Sequence, residues 1–166
     1  YPMDVTQNCD VFVEVSGLLK ALAVNLMKIA NDFRLMGSGP HGGLGELKLA
    51  AMQKGSTIMP GKVNPVIPEM TMEVSMRVIA NDSAITLAAS HGELELNAFL
   101  PLIADCLLED LTLLKNAVRL FRESCVELLQ PDAARCRALL DGSLGRATSF
   151  TPALGYDAVA EAVGRA

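Results

Sequence analysis

The chain has 166 residues, 51% hydrophobic and 20% charged, with net charge −5 and a mean hydropathy of +0.32. This composition excludes a disordered chain, and 4% aromatics without Trp leave Leu, Ala, Val, Ile and eight Met to form a core suited to helices rather than sheets. Lys and Arg are scattered, so no nucleic-acid partner and no membrane surface is expected.

Charged or amide side chains interrupt every apolar run before it reaches the length of a membrane span. Residues 1–10 show no basic start followed by an apolar stretch, so no signal peptide is expected. Cys9, Cys106, Cys125 and Cys136 form no Cys-x-x-Cys pair and do not cluster with His41 or His91. Reduced thiols in a cytoplasmic protein, with no zinc and no disulfide, are the expectation.

In the first long pattern, Phe12, Leu19, Leu26 and Phe33 recur every seven residues, as do Val15, Leu22, Ile29 and Met36. The two interleaved series predict a helix from near Asp10 to Gly37 with a bundle-type apolar stripe. Six glycines and Pro40 between Gly37 and Gly55 then predict an irregular loop, with one helical turn expected over Leu47 to Gln53. The loop continues to Pro65, and a connection this long in a helical protein is usually functional.

A second helix is expected to open at Asn64-Pro65, with Asn64 as its cap, and to run to about Ser90. It is apolar on most faces, which places it in the middle of a bundle, and its polar stripe is Glu69, Glu73, Arg77 and Asn81. The third helix follows Leu100, Ala104, Leu107, Leu111, Leu114, Val118, Phe121, Cys125 and Leu128. Helices of about 30 residues, ~45 Å long, suit an extended bundle that associates with further helices. After Pro131 the texture changes, with short helices expected over Asp132 to Leu140 and Tyr156 to Val163 and no convincing strand anywhere. The expected class is all-α: a central long-helix bundle segment over 1–130, containing a flexible loop at 55–65, then the beginning of a small helical domain over 131–166.

Gly37-Ser38-Gly39-Pro40-His41-Gly42 matches Gly-x-Gly-x-x-Gly, but a dinucleotide site needs a strand before it and a helix directly after it. A helix ending and a tight loop are expected instead. His41 and His91 read as surface histidines. In residues 55–65, Lys62, Asn64 and the free N–H groups of the following helix form a candidate carboxylate site, with Ser56 and Thr57 supplying hydroxyls. The competing reading is a solvated loop in which Asn64 caps the helix.

Gly55-Ser56-x-x-Met59-Pro60-x-Lys62-x-Asn64 resembles the signature of the aspartase/fumarase superfamily of lyases. Its flanks agree: Lys28-Ile29-Ala30-Asn31-Asp32 followed by Gly37-Ser38-Gly39-Pro40, and Gly92 to Asn97 in the pattern Gly-x-x-x-Leu-Asn. The resemblance covers nearly the whole chain and is to the C-terminal half of the family's central domain and the beginning of its last one. It implies a homotetramer with sites shared by three subunits, no cofactor and no metal, and reversible anti elimination from a succinyl dicarboxylate to give fumarate. By position, it makes Ser56 the base, Thr57, Lys62 and Asn64 substrate-binding, and Glu69 a supporting acid that pairs with a histidine from an upstream segment. For Glu69 an ordinary first-turn acid is the alternative. Residues 65–69 (Pro-Val-Ile-Pro-Glu) resemble aspartate ammonia-lyases more than many fumarases, so L-aspartate is the expected substrate, with fumarate hydratase as one alternative and a non-catalytic helical oligomerisation module as another. The upstream segments of the family pattern are missing, so the chain is expected to be a fragment that is inactive alone.

Overall fold

The first helix, α1 (Pro2–Gln7), leads into the long α2 (Asp10–Met36) in a computed structural model that describes residues 2–165. Tyr1 and Ala166, the outer limits of the two expected segments, lie outside the described residues. After the loop come α3 (Val66–Ser90) and α4 (Leu100–Ser124). One core cluster joins Cys9 to Ile85, Ala88, Ile103 and Cys106, and another joins Ala30 to Phe121 and Cys125, so successive long helices run in opposite directions. The middle of the bundle is closed by Ala23, Val78 and Leu114. The central helix is α3, as its nearly all-round apolar sequence requires.

Small residues mark where α2 comes closest to its neighbours. Ser16, Ala23 and Ala30, spaced seven apart, are buried, and Leu19, Leu26 and Phe33 pack beside them. The second heptad series behaves differently, because Val15, Leu22 and Ile29 remain more than 40% exposed. In α4 the buried line is Ile103, Cys106, Asp110, Leu114, Ala117 and Phe121. The expected series contributes Leu114, Phe121 and Cys125 to the core but leaves Leu111 and Val118 outside. Both outer helices therefore carry a second apolar face directed away from α3.

Buried polar side chains tie the helices together, although Asp110 Oδ2 has no hydrogen-bond partner. Asp82 accepts from Ser16 Oγ at 2.8 Å and from Lys20 Nζ at 2.6 Å, tying α3 to α2. Asn81 Nδ2 donates to Asp110 Oδ1 at 2.7 Å and to Glu109 Oε2 at 2.8 Å, tying α3 to α4. Burial pushes the Asp110 carboxyl above the usual carboxylate range, and the Asn81 hydrogen bond opposes this only in part. Asn97 bridges the α3–α4 turn, donating to Ala88 O at 3.0 Å and accepting from Phe99 N at 2.8 Å.

The expected helical turn over Leu47 to Gln53 does not form. Leu47–Lys48 is instead β1, antiparallel to β2 (Gln130–Pro131), with Leu47 opposite Pro131. The backbone groups that a turn would have paired locally are paired with a distant strand, which the local pattern cannot reveal. A short 3₁₀ turn (Val126–Leu128) connects α4 to β2. The helix α5 (Ala133–Asp141) begins at Asp132, whose Oδ1 accepts from Arg135 N at 3.0 Å. A 3₁₀ segment (Leu144–Phe150), α6 (Thr151–Leu154) and α7 (Tyr156–Gly164) complete the chain. Of these, the 3₁₀ segment, α6 and α1 have no counterpart in the sequence reading.

Asp132 also binds Lys48 Nζ at 2.9 Å. Its carboxyl is held below the usual range, first by the Arg135 backbone N–H and then by Lys48. A lowered folded-state pKa contributes stability that is complete above the unfolded value, near 3.9, and disappears as pH falls below it. Asp132→Ala should therefore lower the thermal midpoint at pH 7, with the difference from wild type shrinking in melts recorded well below about pH 4, as pH falls through the lowered folded-state value. An equal difference at both pH values would show that charge on Asp132 is not the cause.

Candidate active site

The loop at residues 55–65 is closed by its own backbone. Gly55 N donates to Lys62 O at 2.9 Å, and a Cβ on Gly55 would lie 2.4 Å from that oxygen, so a glycine is required. Gly61 takes φ +79°, a left-handed value that reverses the chain, and Lys62 N returns to Met59 O at 3.3 Å. Asn64 does not cap α3. Pro65 occupies the capping position, and Asn64 Nδ2 donates to Gly55 O at 3.0 Å, locking the base of the loop. Its Oδ1 and second N–H remain available for other partners.

Ser56 is half-buried inside this ring, and its Oγ accepts from Ile58 N and Met59 N, each at 3.1 Å. Two N–H groups aimed at one hydroxyl oxygen favour negative charge on it and leave its proton free to point elsewhere. Thr57 is exposed beside it, and Ile58 is 87% exposed, so the tip of the loop projects from the fold.

Below the loop lies a cleft of about 770 Å³. Lys62 and Glu69 line it, together with Arg34 from the last turn of α2, Lys48 from β1, and Asp132 and Arg135 at the start of α5. Ser56, Thr57 and Asn64 do not line it, so two of the five expected site residues share this cleft and three stand in the loop above. Glu69, in the first turn of α3, has Arg34 as an ion partner, Nη2 to Oε1 at 3.7 Å. Arg135 fixes the far wall by donating to Leu44 O at 2.8 Å and to Gly43 O at 3.2 Å.

Arg34 and Arg135 were missed by the sequence reading. Arg34 lies two residues beyond the Lys28 to Asp32 flank, and that proximity is the one signal available for it. The Gly37 to Gly42 stretch follows α2, and Ser38 closes it by accepting from Gly45 N at 2.7 Å and Leu44 N at 3.2 Å. It therefore lacks the preceding strand of a dinucleotide site. His41 and His91 are exposed. Among the described residues, no group of three His, Cys, Asp or Glu side chains is placed to hold a metal ion, and no helix is long and apolar enough to cross a membrane.

A family model described as "Lyase" matches residues 1–80. The aspartate ammonia-lyase of Pseudomonas fluorescens is 46% identical over 155 residues, covering 93% of this chain and 32% of that protein. A class II fumarate hydratase of Pseudomonas aeruginosa is 51% identical over 149 residues, covering 90% of this chain and 32% of that one. The crystal structure of class II fumarase from Schistosoma mansoni superposes with a TM-score of 0.93 at 40% identity, over 96% of this chain and 33% of the fumarase. The chain thus spans about a third of the length of the relatives it matches.

Proposed function

Because the chain belongs to the aspartase/fumarase superfamily of lyases, we propose that it supplies part of the active site of an enzyme that reversibly eliminates ammonia from L-aspartate to give fumarate. The observation that carries this reading is the Ser56 oxygen held by two backbone N–H groups in the signature loop. An ordinary serine hydroxyl is far too weak an acid to provide a base. Two aligned N–H donors in a site that closes and excludes water stabilise the alkoxide that removes the proton beside a substrate carboxylate. The Ile58 and Met59 N–H groups serve the serine in this arrangement, so the charge developing on the substrate falls to other donors.

Lys62 faces the cleft and supplies the cation for a substrate carboxylate, and Asn64 and Thr57, which stand in the loop above, join it when the loop closes. Glu69 stands on the same wall as a supporting acid for a group brought by the rest of the enzyme. Closing the exposed loop tip over the cleft would bring Ser56 to the substrate held there. The reaction needs no cofactor and no metal.

The exposed Val15, Leu22 and Ile29 of α2 and Leu111 and Val118 of α4 form an apolar face, with a groove of about 570 Å³ between the two helices. That face suits assembly with other helices, and the reading places it in a homotetramer with sites shared between subunits. Residues 1–130 are the central segment of that assembly. Residues 131–166, where long helices give way to short ones, begin a separate C-terminal domain.

The 51% identity to a class II fumarate hydratase favours a second reading, addition of water to fumarate. Offering the assembled enzyme L-aspartate and L-malate in turn, and following fumarate by its ultraviolet absorbance, separates the two. Fumarate from L-aspartate is the expected result, and fumarate from L-malate alone would make the protein a hydratase. Neither would leave a helical oligomerisation module.

A further inference from the structure

Arg34 is built into the cleft in a way that packing does not explain. Its guanidinium passes from the last turn of α2 to the first turn of α3, with Nη1 3.7 Å from Met72 Sδ and 3.5 Å from Asn31 Oδ1. Its Nε is buried without a hydrogen-bond partner, and a buried orphan donor is destabilising. An aliphatic side chain would pack against Met72 without that cost. A charge is therefore what the position requires, and the charge in reach is Glu69, 3.7 Å from Nη2.

That distance is too long for a hydrogen bond and short enough for an ion pair. The difference matters chemically. A bidentate arginine at hydrogen-bond distance would consume the lone pairs of Glu69, whereas this one holds the carboxylate electrostatically and leaves both oxygens able to accept. Arg34 and Glu69 come from different helices and line the same cleft as Lys62. The pair thus fixes a negative acceptor in the cleft that Lys62 also lines.

We propose that Arg34 is a positioning residue for Glu69, setting the place of its carboxylate while keeping both oxygens free for a donor in the cleft. This rests on the reading of Glu69 as part of the lyase site. Arg34 touches no substrate in this role, so its loss should act on turnover more than on binding.

The test is steady-state fumarate formation by the assembled enzyme carrying Arg34→Gln, Arg34→Lys, Glu69→Gln, and each Arg34 change combined with Glu69→Gln. Arg34→Gln should lower kcat roughly 10- to 100-fold, the scale of a misplaced catalytic group, with KM changed less than about twofold. Arg34→Lys, which keeps the charge but not the planar fork, should recover part of the loss. Combined with Glu69→Gln, neither Arg34 change should reduce kcat further, because the group it positions is gone. If Arg34→Gln fails to assemble, Arg34→Lys is compared in the wild-type and Glu69→Gln backgrounds: a loss only in the first sustains the proposal, and an equal loss in both overturns it. Wild-type turnover by Arg34→Gln, with turnover lost in Glu69→Gln, overturns the role of Arg34 alone. Full turnover by Glu69→Gln overturns the role given to Glu69 as well.

Discussion

Replacing Ser56, the proposed base, by Ala in the assembled enzyme should lower kcat roughly 10²- to 10⁴-fold, the usual worth of a positioned base, and leave substrate affinity nearly unchanged. The separation of the two effects follows from the loop. Its closure depends on Gly55 N to Lys62 O and on Asn64 Nδ2 to Gly55 O, neither of which involves the serine side chain. Ala therefore removes the oxygen that Ile58 and Met59 address while Lys62 keeps its place on the cleft wall. Lys62→Ala offers the contrast: an interaction with a carboxylate present in both ground and transition states should raise KM as well as slow turnover. Near-normal kcat in Ser56→Ala would remove the serine from the chemistry and leave its two hydrogen bonds as loop architecture.

What the sequence made legible was whatever depends on local pattern. Helix α2 ends at Met36 with Gly37 after it, α3 ends at Ser90, and α5 starts behind Asp132, all where composition and caps place them. The faces were read less well. Heptad counting weights large apolar residues, yet the line of closest approach on α2 is Ser16, Ala23 and Ala30, because only small side chains let helix axes come close. On α4 the series beginning at Leu100 contains the outward face, since both stripes of that helix are apolar and periodicity alone cannot say which one meets α3. The misassigned turn at Leu47 and the misassigned cap at Asn64 share one cause. In each, a partner elsewhere in the chain, β2 for Leu47 and Gly55 O for Asn64, replaces the local hydrogen bond that propensity assumes. The same cause hid Arg34, which reads from the sequence as an ordinary basic residue in a last helical turn and acquires meaning only where α2 ends against the start of α3.

The 166-residue chain by itself should associate through its outer helix faces and yet show no lyase turnover. Association follows from the large apolar residues left outside, among them Leu18, Leu22, Leu108 and Leu111, which a lone chain would present to water. A compact monomer in sedimentation at micromolar concentration would contradict that. Inactivity follows from the cleft. On the proposed reading Lys62 offers one carboxylate clamp, while Arg34, Lys48 and Arg135 are committed to Glu69, to Asp132 and to the Leu44 and Gly43 carbonyls. On that reading a second clamp and a place for the leaving group would come from segments matching the two thirds of the relatives' length that this chain does not cover. Holding reactants in place contributes roughly 7–11 kcal/mol in the most favourable cases, so a site that fixes one end of its substrate loses nearly all of its rate rather than half of it. Mixing the chain with a second chain that carries the remaining segments should then restore measurable fumarate formation, because an apolar helix interface can reassemble without a covalent link. Ser56→Ala in the first chain should abolish the restored activity. Robust turnover by the 166-residue chain alone would overturn the shared-site reading.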